Sequence, residues 1–220
     1  MKIESNILEQ TVILKLSNVF TTEQCKTIAD QILTYRDRDL ESLEFNRNAN
    51  AGCWMGEPLQ NHGFTKEIAN LIENKLRMCC TTYYEHLTKP ANILTSSPPK
   101  LYDEDWTLYS WANINDPGSE NREHTHTGSL VSGVVYFDAE DTGRLEFMPY
   151  NYTYKMAHPA WPYYGVTYYE PKNGDVLLFP SFLLHRVERN SSNKPRINMA
   201  FDGNLVPERQ LRCYKNMEYK

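Results

Sequence analysis

The sequence predicts an α+β fold, mainly β, in which N-terminal helices brace a β-barrel or jelly roll. Three observations carry this expectation. In parts of the first hundred positions, apolar residues recur at spacings of three and four, the period of a helix with one buried face. Beyond residue 100 the chain breaks into short runs of Trp, Tyr, Val, Leu and Phe, the side chains that fit a pleated surface. Those runs are separated by turn-forming clusters, among them Asp116-Pro117-Gly118, Asp141-Thr142-Gly143 and Lys172-Asn173-Gly174-Asp175.

In chain order, Thr11-Val12-Ile13-Leu14-Lys15-Leu16 is β-branched and predicts a short strand. Thr21 and Gln24 have the spacing of a capping box, so a helix follows to about Tyr35. Residues 38–64 are polar and rich in Asn and Gly, which predicts irregular structure. From Thr65, the positions Ile68, Leu71, Ile72, Leu76, Cys79 and Tyr83 form one apolar stripe and predict a second helix to about Leu87. Pro90 and Ser96-Ser97-Pro98-Pro99 punctuate the chain before its composition changes. Residues 1–100 are therefore expected to form a helical support region and residues 101–205 a β core, within one domain of 220 residues. The segment from Tyr150 to Tyr169 is dense in aromatics, with Pro159 and Pro162 between them. It reads either as a hydrophobic cluster under a long loop or as a lid or substrate wall.

Composition excludes several classes. A net charge of -5 argues against nucleic acid as the main partner, because duplex binding needs clustered Lys and Arg to displace counterions. The five cysteines are odd in number, lack zinc-ligand spacing and include the adjacent pair Cys79-Cys80, so no disulfide framework is expected. No charged start with an apolar stretch follows Met1, and no apolar run reaches the ~20 residues of a membrane span. The expectation is a cytoplasmic protein without a membrane partner. Asn151-Tyr152-Thr153 and Asn190-Ser191-Ser192 fit the glycosylation pattern but read as loop residues in such a protein.

The chemistry lies in four residues. His124 and His126 open a strand-like run, and because side chains on a strand alternate, both imidazoles share a face with Thr125 on the other. His185 closes the apolar run from Val176 to Leu184 and is positioned as a third ligand from an adjacent strand. Arg196 opens Arg196-Ile197-Asn198-Met199-Ala200-Phe201 and gives the same cavity a fixed positive charge. Three ligands on one face of a metal leave the opposite positions open, the arrangement an iron(II) oxygenase needs for a bidentate co-substrate and dioxygen. His62, His86 and His158 stand in polar, helical and loop contexts and are expected to be solvated.

Four segments together resemble the 2-oxoglutarate and iron(II)-dependent oxygenases of bacteria and phages, relatives of the prolyl-hydroxylase-like group. They are Ser110-Trp111-Ala112-Asn113, the run His124 to Tyr136, the run Gly174 to His185, and Arg196 to Phe201. The resemblance spans roughly residues 105–204. It implies a double-stranded β-helix, or cupin-like jelly roll, with iron at its open end, and 2-oxoglutarate and O2 as co-substrates. It also implies that His124 takes the place of the first histidine of the family's His-x-Asp/Glu pair and His185 that of the distal histidine. Arg196 matches the residue that grips the C5 carboxylate of 2-oxoglutarate, for which a planar guanidinium offers two parallel charge-assisted hydrogen bonds. Tyr136 matches a tyrosine near that carboxylate. Ser132, which alternates onto the same face as Tyr136, and Asn113 are expected in the pocket wall. The departure from the pattern is His126, which stands where the wider superfamily has a carboxylate; Glu123 and Asp138 are the acidic alternatives, and Glu123 faces away from His124 by alternation.

The function these features predict is a hydroxylase. It would couple decarboxylation of 2-oxoglutarate to oxidation of a C–H bond in a small-molecule or peptidyl substrate. Two alternatives stay open: a three-histidine dioxygenase whose substrate itself chelates iron, and a non-catalytic metal-binding jelly roll. Exposed aromatics in the Tyr150 to Tyr169 segment favour a homodimer.

Overall fold

Alternate residues of the central strands face two different interiors, and that division organises the structure. The computed structural model describes residues 11–38, 50–58, 64–88, 100–148 and 167–206. Two helices and nine strands lie among them: β1 (Leu14–Leu16), α1 (Thr22–Arg38), β2 (Asn50–Pro58), α2 (Lys66–Thr88), β3 (Trp106–His124), β4 (Val131–Asp138), β5 (Leu145–Phe147), β6 (Thr167–Tyr169), β7 (Val176–Pro180), β8 (His185–Val187) and β9 (Arg196–Leu205). The strands pair antiparallel in the order β1-β7-β4-β9-β3-β8-β5-β6, and β2 adds to β3. The result is the expected jelly roll, a curled sheet braced by two helices.

Both helices begin as the sequence dictates. The Thr21 hydroxyl accepts from the Gln24 amide at 3.2 Å while the Thr21 amide donates to Gln24 Oε1 at 3.0 Å, closing the capping box at the start of α1. Ile28 and Ile32 from α1, and Ile72, Leu76, Cys79 and Tyr83 from α2, are buried against the sheet. Burying each large aliphatic chain contributes roughly 1.5–3 kcal/mol. The Tyr83 hydroxyl donates to the Val12 carbonyl at 2.9 Å, tying α2 to the N-terminal segment. No helix among the described residues is long and apolar enough to cross a membrane.

The β4, β7 and β9 side chains alternate between the two interiors. Val135, Phe137, Val176, Leu178, Ile197, Met199 and Phe201 pack toward the helices. Val134, Tyr136, Leu177 and Phe179 form a second cluster with Leu145, Phe147 and Leu183 on the concave side. Period-two alternation sends Arg196, Asn198, Ala200 and Asp202 of β9 to that concave side as well.

Two expectations are corrected. Within residues 38–64, Asn50–Pro58 form β2 rather than irregular structure, and they pair with β3 through two register irregularities. Asp116-Pro117-Gly118 is not a hairpin turn but an irregularity inside the long strand β3. Before it β3 pairs with β9, as far as Asn115 opposite Arg196; beyond it β3 pairs with β8, from Asn121 opposite Val187. Gly118, at φ +89°, supplies the left-handed residue that this change of partner requires. The aromatic segment expected as a lid or wall lies outside the described residues except at Thr167–Tyr169, as do His62, His158 and Cys213. Asn190 is buried, and its side chain bonds to the Asn115 and Lys194 carbonyls, so it is a structural loop residue.

Gly133 marks the tightest point between β4 and its neighbours, where an added Cβ would meet the Phe201 ring and the Leu177 carbonyl oxygen. Gly133→Ala is therefore expected to lower stability by roughly 1–3 kcal/mol. Urea unfolding checks this: the midpoint should fall with an unchanged slope, whereas an unchanged midpoint would contradict the packing.

Candidate metal centre

His124 ends β3 and His185 begins β8, and the two are cross-strand partners, so sheet register alone sets their rings at 4.3 Å between centroids. His126 lies beyond the strand end and is brought back by its backbone N–H, which donates to the Ser181 carbonyl at 2.8 Å. Its ring lies 5.1 Å from those of both His124 and His185. One ligand nitrogen from each of the three lies within 4.8 Å of the others.

Each ring is oriented by its second nitrogen. His124 Nδ1 faces the Arg122 carbonyl at 2.7 Å, His185 Nδ1 faces the Leu183 carbonyl at 2.8 Å, and His126 Nδ1 faces the Asp202 carboxylate at 3.1 Å. A carbonyl or carboxylate oxygen can only accept, so the hydrogen-bond network places an N–H at each Nδ1 and makes Nε2 the nitrogen that can serve a metal. Neutral imidazoles with Nδ1–H held by an acceptor are the state in which histidine binds a metal. Burial, followed by the neighbouring His124, pushes the His185 pKa down to about 3, and burial also lowers that of His124. The donor set therefore fits a divalent metal. The acidic alternatives are engaged elsewhere, Glu123 with Arg186 at 3.8 Å and Asp138 with Lys194 at 3.3 Å.

The histidines line a cavity of about 180 Å³. At ~30 Å³ per water this is space for a small molecule rather than a drug-sized one. Its floor is a grid set by the register of β3, β9 and β4: Trp111, Ala200 and Val134 form one row, then Asn113, Asn198 and Tyr136, while the preceding row of Tyr109, Asp202 and Ser132 lies beyond the lining. Arg196, opposite Asn115, forms the far end.

Arg196 is 1% exposed. Its Nη1 donates to the Thr142 and Gly143 carbonyls at 3.2 and 3.4 Å, whereas Nε and Nη2 have no partner among the described residues. Burial lowers its pKa to about 10, which still leaves it charged at neutral pH. Nε–H and Nη2–H form one edge of the guanidinium, the edge that accepts a carboxylate side-on. Burying a cation costs several kcal/mol, and among the described residues no carboxylate oxygen bonds this guanidinium, so the site favours an anionic ligand.

The other expected residues are placed as follows. Asn113 lines the cavity, its amide donating to Asn198 Oδ1 at 3.2 Å. Tyr136 is buried in the same row, and burial raises its pKa. Ser132 shares their strand face, but its hydroxyl donates to Asp202 Oδ1 at 2.5 Å and it does not line the cavity. Sequence reasoning missed Asp202, Asn198 and the ring role of Trp111, which stacks on His126 at 5.5 Å. The signal for the first two was available: both share the alternation that starts at Arg196.

Residues 109–202 match a family described as "Putative 2OG-Fe(II) oxygenase", and all four segments that carried the sequence resemblance overlap this match. No curated protein matches the chain in sequence. Among solved structures, a Pseudomonas putida prolyl-4-hydroxylase is similar at 12% identity and TM-score 0.55, covering 88% of this chain and 92% of its own. A Trichoplax adhaerens prolyl hydroxylase, in complex with a hypoxia inducible factor peptide fragment, is similar at 14% identity and TM-score 0.58, covering 90% and 86%. The alpha ketoglutarate dependent epimerase SnoN from nogalamycin biosynthesis is similar at 12% identity and TM-score 0.59, covering 87% and 77%. These likenesses establish the fold, and the reactions named differ among them.

The depressed His185 pKa has a consequence for the metal-free protein. Below the ordinary value of 6.5 the unfolded chain binds a proton that the folded chain refuses until about pH 3. Stability is thus complete above pH 6.5 and declines as pH falls, by at most ~1.4 kcal/mol per pH unit for this group. Urea midpoints of chelator-treated protein between pH 7.5 and 5.5 should show this decline, and His185→Gln should flatten it. Equal slopes for both proteins would contradict the assignment.

Proposed function

We propose that the protein is an iron(II)- and 2-oxoglutarate-dependent oxygenase, acting as a hydroxylase on a small-molecule or peptidyl substrate. One observation carries the reading: three imidazoles that each bring one nitrogen within 4.8 Å of the others, and a buried guanidinium with two N–H groups unpartnered among the described residues, share one small cavity. His124, His126 and His185 would hold the metal, and Arg196 would take the far carboxylate of the co-substrate. Iron(II), when bound with 2-oxoglutarate and O2, supplies oxidation of a substrate C–H to C–OH coupled to release of succinate and carbon dioxide.

The remaining residues bind, orient and exclude water. Arg196 has an anion to gain, and a five-carbon diacid offers it one carboxylate while leaving the 2-oxo acid end for the histidines. The buried Tyr136 hydroxyl is a second donor at the Arg196 end, and the Asn113–Asn198 amide pair lines the middle of the cavity. Val134, Leu145 and Phe179 make apolar walls that keep bulk water from a reactive centre. The described cysteines are free, which supports a cytoplasmic site of action. A second reading, a three-histidine dioxygenase that uses no 2-oxoglutarate, draws support from a ligand set that, among the described residues, is three histidines and no carboxylate. Oxygen consumption without succinate would favour that reading, and no oxygen consumption under any supplied reductant would favour a binding module.

Anaerobic addition of iron(II) and then 2-oxoglutarate should give the weak visible charge-transfer band of the chelate. Arg196→Ala should retain iron but lose roughly 100-fold or more in 2-oxoglutarate affinity, since each charge-assisted hydrogen bond contributes ~1.5–3 kcal/mol. Coupled succinate formation should disappear with it. Turnover at the wild-type rate in this variant would refute the co-substrate assignment.

A further inference from the structure

Three imidazoles bring no negative charge to a dication, yet a carboxylate stands directly behind one of them. Both oxygens of Asp202 lie near His126 Nδ1, Oδ1 at 3.1 Å and Oδ2 at 3.2 Å. Oδ1 also accepts the Ser132 hydroxyl at 2.5 Å. Asp202 and Ser132 are register partners across β9 and β4, so the sheet itself sets this contact. His124 and His185 rest on neutral backbone carbonyls two residues earlier in the chain, and only His126 has an ionisable acceptor. It is also the ligand that stands where a carboxylate was expected.

We propose that Asp202, held by Ser132, is a positioning residue for the metal. It fixes the His126 ring with Nε2 turned inward, and through the Nδ1–H hydrogen bond it lends the centre the negative charge that a carboxylate ligand would bring. The inference rests on reading the triad as a metal site. A charged acceptor on the far nitrogen makes an imidazole a stronger donor, and loss of such a partner typically weakens metal binding 10–100-fold. The Trp111 ring, stacked on His126, restricts the same imidazole from its face. Asp202 therefore acts through His126 and touches neither metal nor substrate.

The test titrates chelator-stripped full-length protein with cobalt(II) in the absence of oxygen and follows its visible absorption. Asp202→Asn, which keeps the size and one acceptor oxygen but not the charge, should weaken cobalt binding roughly 10–100-fold. Its metal-free melting temperature serves as a check on folding. Ser132→Ala should weaken binding in the same direction by less, and it carries the test if the Asn variant fails to fold. In a His126→Ala background, Asp202→Asn should add no further loss. Unchanged affinity in Asp202→Asn or, should that variant fail to fold, in Ser132→Ala overturns the inference, as does an equal loss without His126. If the wild-type protein takes up no cobalt, the metal reading itself falls, a result distinct from either of these.

Discussion

The cavity depends on where three Nδ1 protons go. Each is committed to an acceptor that cannot donate in return, two backbone carbonyls and one carboxylate, while one nitrogen from each ring lies within 4.8 Å of the others. The acceptors belong to the scaffold. Arg122 lies within β3, Leu183 lies two residues before the start of β8, and Asp202 sits on β9. Cross-strand pairing of His124 with His185 sets two of the rings, and a hydrogen bond from the His126 amide to Ser181 sets the third. The ligand geometry is thereby a product of sheet register, and a one-residue slip would turn it to the opposite face.

The opposite end of the cavity shows the converse. A guanidinium that is almost wholly buried, yet partnered among the described residues on one nitrogen only, is a cost the folded chain carries. Tyr136 and Leu145 of the second hydrophobic cluster line the same cavity as Arg196 and help keep water from it. Charge held dry in this way attracts an anion more strongly than the same charge in water would. Under the proposed function, the two ends together would take a short molecule with a carboxylate at one terminus and metal-chelating oxygens at the other.

Much of this was legible in the chain. The Thr21/Gln24 capping box and the stripe from Ile68 to Tyr83 specify the helices, because local hydrogen bonding and periodicity decide helix starts and faces. The pattern of histidines marked the cluster, but the strand expected to open at His124 does not form: His124 ends β3, and His126 lies beyond it, held by its backbone bond to Ser181 rather than by strand alternation. Strand β2 was hidden because Gly52 and Gly56 interrupt its pattern; its Trp54 is buried but has no alternating neighbours to announce it. Asp116-Pro117-Gly118 has turn chemistry, and only tertiary pairing, with β9 on one side and β8 on the other, turns that chemistry into an irregularity within a strand. Ser132 faces the right interior but sits one row too far toward the rim, and its hydroxyl goes to Asp202 instead of the cavity, a distinction that depends on register and not on alternation.

X-ray absorption of the iron(II)-loaded protein tests the convergence of the three imidazoles most directly. The account predicts three imidazole scatterers around a single metal, completed by oxygen ligands, and their loss one at a time in His124→Ala, His126→Ala and His185→Ala. A first shell with one imidazole or none, or one that includes sulfur, would contradict it.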